Sequence, residues 1–166
     1  MLPVGSRLGS MNVNLEGVEV MLSHWTTTEA TETAIRWATL AHEGQLDKQG
    51  QPYVLHVLRV GLAGKTQDER VVGFLHDVLE DTQFPPKVLH QAFGVKVGEA
   101  LDAITRKERE VYTDYILRVK ANPIARAVKI NDLQDNLSRI AGLKPEEQDV
   151  LKERYTRALE FLLKNS

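Results

Sequence analysis

Residues 74–84 read FLHDVLEDTQF, a run in which one histidine and three acidic residues stand among mostly apolar side chains. If the run is helical, His76 and Glu80 lie four residues apart, as do Asp77 and Asp81, so all four share one side of the helix. Carboxylates held that close repel one another, and their burial is unfavourable unless a positive group compensates. The stretch therefore predicts a helix whose acidic side faces something positively charged.

Length and composition restrict what that positive group can be. The chain has 166 residues, enough for one domain with a real hydrophobic core, and its net charge is −2. Such a balance gives no electrostatic basis for binding nucleic acid or a membrane surface. Because there is no cysteine, disulfides, cysteine-bound zinc and thiol catalysis are excluded, and a metal must be held by His, Asp or Glu. No signal peptide or membrane-spanning stretch is visible, so a cytoplasmic location is the default expectation.

From about residue 28 onward, apolar residues recur at helical spacing, and no segment shows the alternation of a strand. Prolines, glycines and polar loops divide this part into about eight predicted helices, at 28–44, 53–64, 68–81, 86–93, 95–105, 110–122, 123–140 and 145–164. We therefore expect one all-α helical bundle over 28–166, preceded by an arm at 1–27. Within the arm, Gly9-Ser10 followed by Met11 is typical of a cloning remnant, with a native arm as the alternative.

Two further polar residues interrupt apolar helical pattern: His56 in the second predicted helix and Asp132 in the seventh. Together with His76 and Asp77 they supply two imidazoles and two carboxylates from three helices. Such a set suits one divalent cation with mixed N/O ligation, such as Mn, Fe, Zn or Mg, with coordination positions left for water. The cation would provide the missing positive charge and lower the pKa of a bound water.

The remaining acidic residues of the opening stretch follow one turn later. Glu80 and Asp81 would then lie just outside the ligands, where they could orient the water or carry a proton. A solvated acidic helix end is the alternative interpretation of this pair.

The four ligand candidates form the H…HD…D pattern of the HD-domain metal-dependent phosphohydrolases, which the chain resembles. Longer blocks are similar, in order and spacing, to the hydrolase domain of the RelA/SpoT family and to small stand-alone alarmone hydrolases. They cover about residues 30–140 and read AHEGQLDKQGQPYVLHVLRV, FLHDVLEDT, AFGVKVGEALDAITR and VKINDLQDN.

The resemblance implies an all-α HD domain, Mn2+ as the cofactor and a small nucleotide as the partner. The implied reaction releases pyrophosphate from the 3′ position of guanosine tetra- or pentaphosphate. By position in the motifs, the metal ligands are His56, His76, Asp77 and Asp132, and the catalytic acidic pair is Glu80 and Asp81. Lys48 matches a basic residue of the nucleotide-binding loop, Asn136 matches a polar residue of the nucleoside pocket, and Lys129 is a candidate for neutralising phosphate oxygens, as are Arg106 and Lys107.

The chain departs from the family pattern at two positions. Asp47 stands where the family usually has an arginine that packs near the guanine, and Asp135 stands where it usually has a histidine. An acidic group at position 47 cannot stack as a guanidinium does, and it would repel a polyphosphate unless it points away. The sequence thus supports hydrolysis of a phosphoester more strongly than it supports a guanine nucleotide as the substrate.

Several alternatives follow from these departures. The same chemistry could act on an adenine alarmone, NADP, a nucleotide monophosphate or another small phosphoester. From a different class, the chain could be a non-catalytic nucleotide-binding module, although such a module gains nothing from the additional acidic pair. A homodimer formed through exposed helices is a further expectation, for which no surface is defined by the sequence.

Overall fold

Prolines and capping side chains mark where the helices of this chain begin. Pro86, Pro123 and Pro145 occupy the first positions of three helices, where a missing amide hydrogen costs nothing. Thr66 Oγ1 accepts the amide hydrogen of Glu69 at the start of one helix, and the Asn122 side chain likewise accepts amide hydrogens at the start of the helix that begins with Pro123. These signals are local, so they are visible in the sequence.

The computed structural model describes residues 27–164. Its helices are α1 (Thr27–Ala41), α2 (Val54–Leu62), α3 (Gln67–Leu75), α4 (Val78–Asp81), α5 (Pro86–Ile104), α6 (Tyr112–Ala121), α7 (Pro123–Ser138) and α8 (Pro145–Leu163), with a 3₁₀ turn at Ile140–Gly142. Within 27–164 no β-strand is present, apart from one isolated bridge between Leu46 and Pro52. The predicted all-α fold is confirmed, whereas the predicted arm at 1–27 lies outside the described residues except for its last residue.

The predicted helix at 68–81 is wrong in one respect, because the chain leaves α3 at Leu75 and re-enters a helix at Val78. The imidazole Nδ1 of His76 donates to the carbonyl oxygen of Gly73 at 2.7 Å. In an uninterrupted helix the amide of Asp77 would bond that same carbonyl, so the imidazole competes with the helical ladder. The turn between α3 and α4 thus carries the HD doublet.

The two predicted helices at 86–93 and 95–105 are the two arms of α5, which bends sharply at Gly94. Gly94 has φ 81° and ψ 173°, a backbone conformation that side-chain-bearing residues rarely adopt. The predicted stop at this glycine is therefore correct, although the element continues beyond it.

Helix α3 lies at the centre and packs against α1, α2, α5 and α7. Phe74, Leu75, Leu101 and Leu133 are among the buried side chains of the single core cluster. No helix in residues 27–164 is long and apolar enough to cross a membrane. The arrangement brings the first turn of α2, the end of α3 and the middle of α7 to one place.

The backbones of α2 and α3 come close to each other. A methyl group added at Gly73 would lie 2.7 Å from the Cα atom of Gly61. Only two residues without side chains allow helices to touch in this way. The crossing places His56, five residues before Gly61, near His76, three residues after Gly73, with ring centroids 5.3 Å apart.

Candidate metal centre

Four side chains converge at the meeting point of α2, the α3–α4 turn and α7. The Nε2 atom of His56 lies 3.2 Å from Asp132 Oδ1 and 3.7 Å from Asp77 Oδ2. The Nε2 atom of His76 lies 3.0 Å from Asp77 Oδ2 and 3.8 Å from Asp132 Oδ1. The structure therefore brings together all four residues that the sequence suggested as ligands, and the two histidines and Asp132 are buried.

Both imidazoles use the nitrogen that faces away from this point. His76 Nδ1 donates to the Gly73 carbonyl, and His56 Nδ1 donates to the Asp135 carboxylate at 2.7 Å. A protonated Nδ1 leaves Nε2 as the lone-pair nitrogen of a neutral imidazole. His76 Nε2 is buried, and its 3.0 Å contact with Asp77 Oδ2 lacks the alignment of a hydrogen bond, so no acceptor among the described residues uses this nitrogen. Both Nε2 atoms are therefore oriented as ligands.

The charges of the site also suit a cation. Burial opposes the ionisation of Asp132, but the nearby charges of Lys129, His76 and His56 outweigh it and hold the pKa of Asp132 below its ordinary value. Burial likewise opposes charge on His56, but hydrogen bonds to Asp132 and Asp135 raise the pKa of His56 to about 10. The carboxylates thus stay ionised at neutral pH and attract positive charge. A divalent ion would provide it and displace the imidazole protons.

The buried group of His56, His76 and Asp132 offers one ligand atom from each residue, all within 4.8 Å of one another, and could hold a metal ion. Two imidazole nitrogens with carboxylate oxygens form a donor set that suits Mn, Fe or Zn. The residues present fit a divalent cation, with Asp77 beside them as the fourth candidate.

Neighbouring side chains hold the two carboxylates in place. Tyr53 donates its hydroxyl hydrogen to Asp77 Oδ2 at 2.6 Å. Asp132 accepts from the Asn136 amide at 2.6 Å and from the Lys129 ammonium at 2.7 Å. Lys129 and Asn136, both singled out in the sequence, therefore contact a candidate ligand.

The acidic pair that follows the HD doublet differs in placement. Glu80 lines the cleft and accepts the backbone amide hydrogen of Arg106 at 3.1 Å, whereas Asp81 is not among the described residues that line it. Burial, reinforced by the charge of Asp77, raises the pKa of both Glu80 and Asp81. A carboxyl group with a raised pKa is better able to carry a proton near neutral pH.

A cleft of about 360 Å³ opens from the metal centre toward the loop between α1 and α2. Lys48 lines it, but its ammonium also pairs with Glu147 at 2.6 Å, and both side chains are exposed. Asp47 lines it too, with its carboxylate turned to the guanidinium of Arg139. The negative charge of Asp47 is thus neutralised by Arg139.

Sequence reasoning missed several residues of this site. Asp135 was named only as a departure from the family pattern, and Arg139, which shares a helical face with Asp132, was given no role, although the two lie only three and seven residues after Asp132. Arg154 and Tyr155 reach the cleft from α8, which lies outside the stretch that resembles the family. Only the fold places them there.

Comparisons with known proteins extend these observations. No protein-family model matches the chain. A protein of Aquifex aeolicus named guanosine-3′,5′-bis(diphosphate) 3′-pyrophosphohydrolase is 28% identical over 156 residues, which are 86% of this chain and 22% of that protein. The protein of the same name from Haemophilus influenzae is 30% identical over 123 residues, 65% of this chain and 18% of that one. Other relatives are named GTP pyrophosphokinase.

A solved structure also matches the fold. It is described as a metazoan ortholog of SpoT that hydrolyzes ppGpp, and it aligns with a TM-score of 0.65 over 78% of this chain and 85% of that chain. The sequence identity is 22%, so the likeness concerns the fold. The curated relatives are much longer, and this chain spans about a fifth of their length.

Proposed function

We propose that this chain is a RelA/SpoT-type hydrolase (HD) domain and acts as a metal-dependent phosphohydrolase that releases pyrophosphate from the 3′ position of guanosine tetra- or pentaphosphate. The observation that carries the proposal is the convergence of His56, His76, Asp77 and Asp132, with Glu80 beside them, at the end of a nucleotide-sized cleft. The cytoplasm, where nucleotides are made, is the compartment proposed for this reaction.

His56, His76, Asp77 and Asp132 would hold one divalent ion, for which we propose Mn2+. When bound, such an ion supplies Lewis acidity and lowers the pKa of a coordinated water. The Nδ1 bonds of both imidazoles keep their Nε2 atoms directed at it. The Tyr53 hydroxyl fixes the Asp77 carboxylate in the same way.

The residues around the ligands have separate tasks in this proposal. Glu80 faces the cleft with a raised pKa, so it would accept a proton from the attacking water and return one to the ribose 3′-oxygen as the bond between that oxygen and phosphorus breaks. Asp81 follows Glu80 in the chain, and we assign it the orientation of the attacking water. Lys129 is half-buried beside the metal centre and paired with Asp132, and its charge would also neutralise phosphate oxygens. Lys48 contacts the polyphosphate from the loop after it leaves Glu147, and Asn136 contacts the ribose.

Purified protein with Mn2+ tests this proposal on guanosine tetraphosphate, its adenine counterpart and NADP, with separate detection of pyrophosphate and phosphate. We expect pyrophosphate from the guanine nucleotide. Asp77→Ala should abolish turnover, and Glu80→Gln should lower kcat by about 10²-fold or more because a proton carrier is lost.

A matched control is Asp102→Ala, which removes an exposed carboxylate outside the cleft and should keep full activity. Turnover that survives Asp77→Ala would overturn the metal-based mechanism. Turnover of NADP alone, with phosphate as the product, would replace the substrate proposed above. If none of the three is hydrolysed although Mn2+ binds, the chain is a nucleotide-binding module.

A further inference from the structure

The end of the cleft remote from the metal centre is closed by an ion pair. Arg139 Nη2 lies 2.6 Å from Asp47 Oδ2, and their side chains are 25% and 12% exposed. The two residues come from different elements, the α1–α2 loop and the end of α7, and both line the cleft. A partly buried pair between distant segments holds its geometry better than an exposed one.

Further hydrogen bonds fasten this pair. Asp47 Oδ1 accepts the backbone amide hydrogens of Gln49 and Gln51 at 2.8 and 2.9 Å. The Gln49 side chain donates to the Arg139 carbonyl at 2.7 Å, and Arg139 Nη2 also donates to Gln49 Oε1 at 3.3 Å. Both oxygens of the Asp47 carboxylate are thus engaged, while the hydrogen bonds that the guanidinium gives to Asp47 and Gln49 both come from Nη2.

The position suits the far end of a nucleotide. Asp132, Asn136 and Arg139 follow one another along α7, and seven residues of helix correspond to about 10 Å along its axis. With the reacting phosphate at the metal centre, the ribose would lie near Asn136 and the base near Arg139. Leu143, Leu151 and Tyr155 line the same cleft and provide apolar surface for a base.

The chemistry of the pair favours a base over a phosphate. A guanidinium whose charge is balanced by Asp47 attracts an anion weakly, but its remaining N–H groups still donate to the edge of a nucleobase. Arg139 bonds Asp47 and Gln49 through Nη2, so Nε or Nη1 is left to donate one hydrogen bond, for which guanine O6 is an acceptor. Adenine presents an amino donor in place of O6, so the same arginine would select against it.

We propose that Arg139 is the residue that selects guanine in this cleft, with Asp47 and Gln49 as the positioning residues that orient its guanidinium. The proposal rests on the function proposed above, since it assigns the base end of that substrate. It also gives Asp47 a defined task, because the carboxylate at this position orients the recognising group.

Steady-state pyrophosphate release from guanosine tetraphosphate and its adenine counterpart tests the proposal. Arg139→Ala should raise KM for the guanine substrate about tenfold or more, with kcat changed less than threefold and little effect on the adenine substrate. Arg139→Lys keeps the charge pair but not the plane, so it should also lose the preference for guanine. It serves as the second variant if Arg139→Ala does not fold. Arg157→Ala, an exposed arginine on α8, is the control.

A variant of the positioning residue tests the orientation of Arg139. Asp47→Arg removes the carboxylate that holds Arg139 and places two cations together, so it should weaken guanine binding although Arg139 is retained. Unchanged KM values and an unchanged guanine-to-adenine ratio in both Arg139 variants would overturn the proposal, even if the enzyme hydrolyses alarmones.

Equilibrium binding of GDP and ADP to the Mn2+-loaded protein distinguishes this failure from failure of the proposed function. A preference for GDP that disappears in Arg139→Ala supports the assignment even if no alarmone is hydrolysed. Equal binding of GDP and ADP by the unmodified protein, or a preference that survives Arg139→Ala, refutes it.

Discussion

The contact between Asp135 and His56 leads to a quantitative prediction. Asp135 Oδ2 accepts the Nδ1 hydrogen of His56 at 2.7 Å, so it fixes the tautomer and ring orientation of a candidate ligand and raises its basicity. Replacing Asp135 by Asn keeps the shape but removes the charge. Loss of such a partner costs 10- to 100-fold in metal affinity, or about 1.4 to 2.7 kcal/mol.

The expected signal is the stabilisation of the protein by Mn2+. At a metal concentration of about 100 times the Kd of the unmodified protein, binding stabilises the folded state by about 2.7 kcal/mol. For Asp135→Asn at the same concentration, this falls to between about 1.4 and 0.4 kcal/mol. At 2–4 °C per kcal/mol, the rise in Tm on adding Mn2+ should shrink by roughly 3–9 °C.

Calorimetric titration with Mn2+ and thermal unfolding with and without the metal are the two assays. Asp135 also pairs with Arg59 at 2.5 Å, so Arg59→Gln is needed to show that this outer contact is not responsible. Asp102→Asn is the matched control, because Asp102 forms an equivalent pair with His90 at 3.0 Å on the surface. A Kd for Mn2+ in Asp135→Asn within twofold of the unmodified protein would refute the reasoning.

Two further substitutions test a helix–helix contact near the site and an ion pair elsewhere in the fold. Gly73→Ala should lower the free energy of unfolding, measured by urea titration, by about 1–3 kcal/mol and should weaken Mn2+ binding, because the added methyl group meets the backbone of Gly61. In Gly98→Ala the added methyl group meets only the side chain of His90, which can move, so the loss of stability should be smaller. If the two variants are equally stable, the backbone contact does not limit the packing. Hydrogen bonds from Arg118 lower the pKa of Glu110 from 4.5 to about 2, so the stability they contribute is present above pH 4.5 and lost as the pH falls toward 2. At pH 7 the free energy of unfolding of Glu110→Gln should therefore be about 1–2 kcal/mol lower than that of the unmodified protein, and this difference should vanish near pH 2. A difference that stays constant with pH would contradict a stabilising ion pair.

Much of the fold was predictable because its signals are local. Apolar spacing indicated the helices, and Pro86, Pro123 and Pro145 marked their starts. The interruption at His76 was not predictable, since it arises from one imidazole that competes for a backbone carbonyl. Periodicity reports which residues favour a helix and contains no information about such a competitor.

The candidate site, like the fold, was only partly predictable from the sequence. His56, the HD doublet and Asp132 stood out as polar residues within apolar pattern, and the structure brings them together, while their roles as ligands stay proposals. Asp47 was expected to disturb a polyphosphate, but its charge is balanced by Arg139, ninety-two residues further along the chain. A single sequence does not reveal pairings over that separation, because they depend on how the loop and the helix end meet.

The contact of α2 with α3 through Gly61 and Gly73 has a consequence for metal choice. Where two main chains touch directly, no side chain lies between them that could change its rotamer, so the gap between the helices is set by the van der Waals radii of backbone atoms. The spread between the His56 and His76 nitrogens is then nearly rigid, and a rigid site discriminates among ions by radius instead of adapting to each one. Redesign of the surrounding core for heat resistance should leave ionic preference intact as long as both glycines are retained.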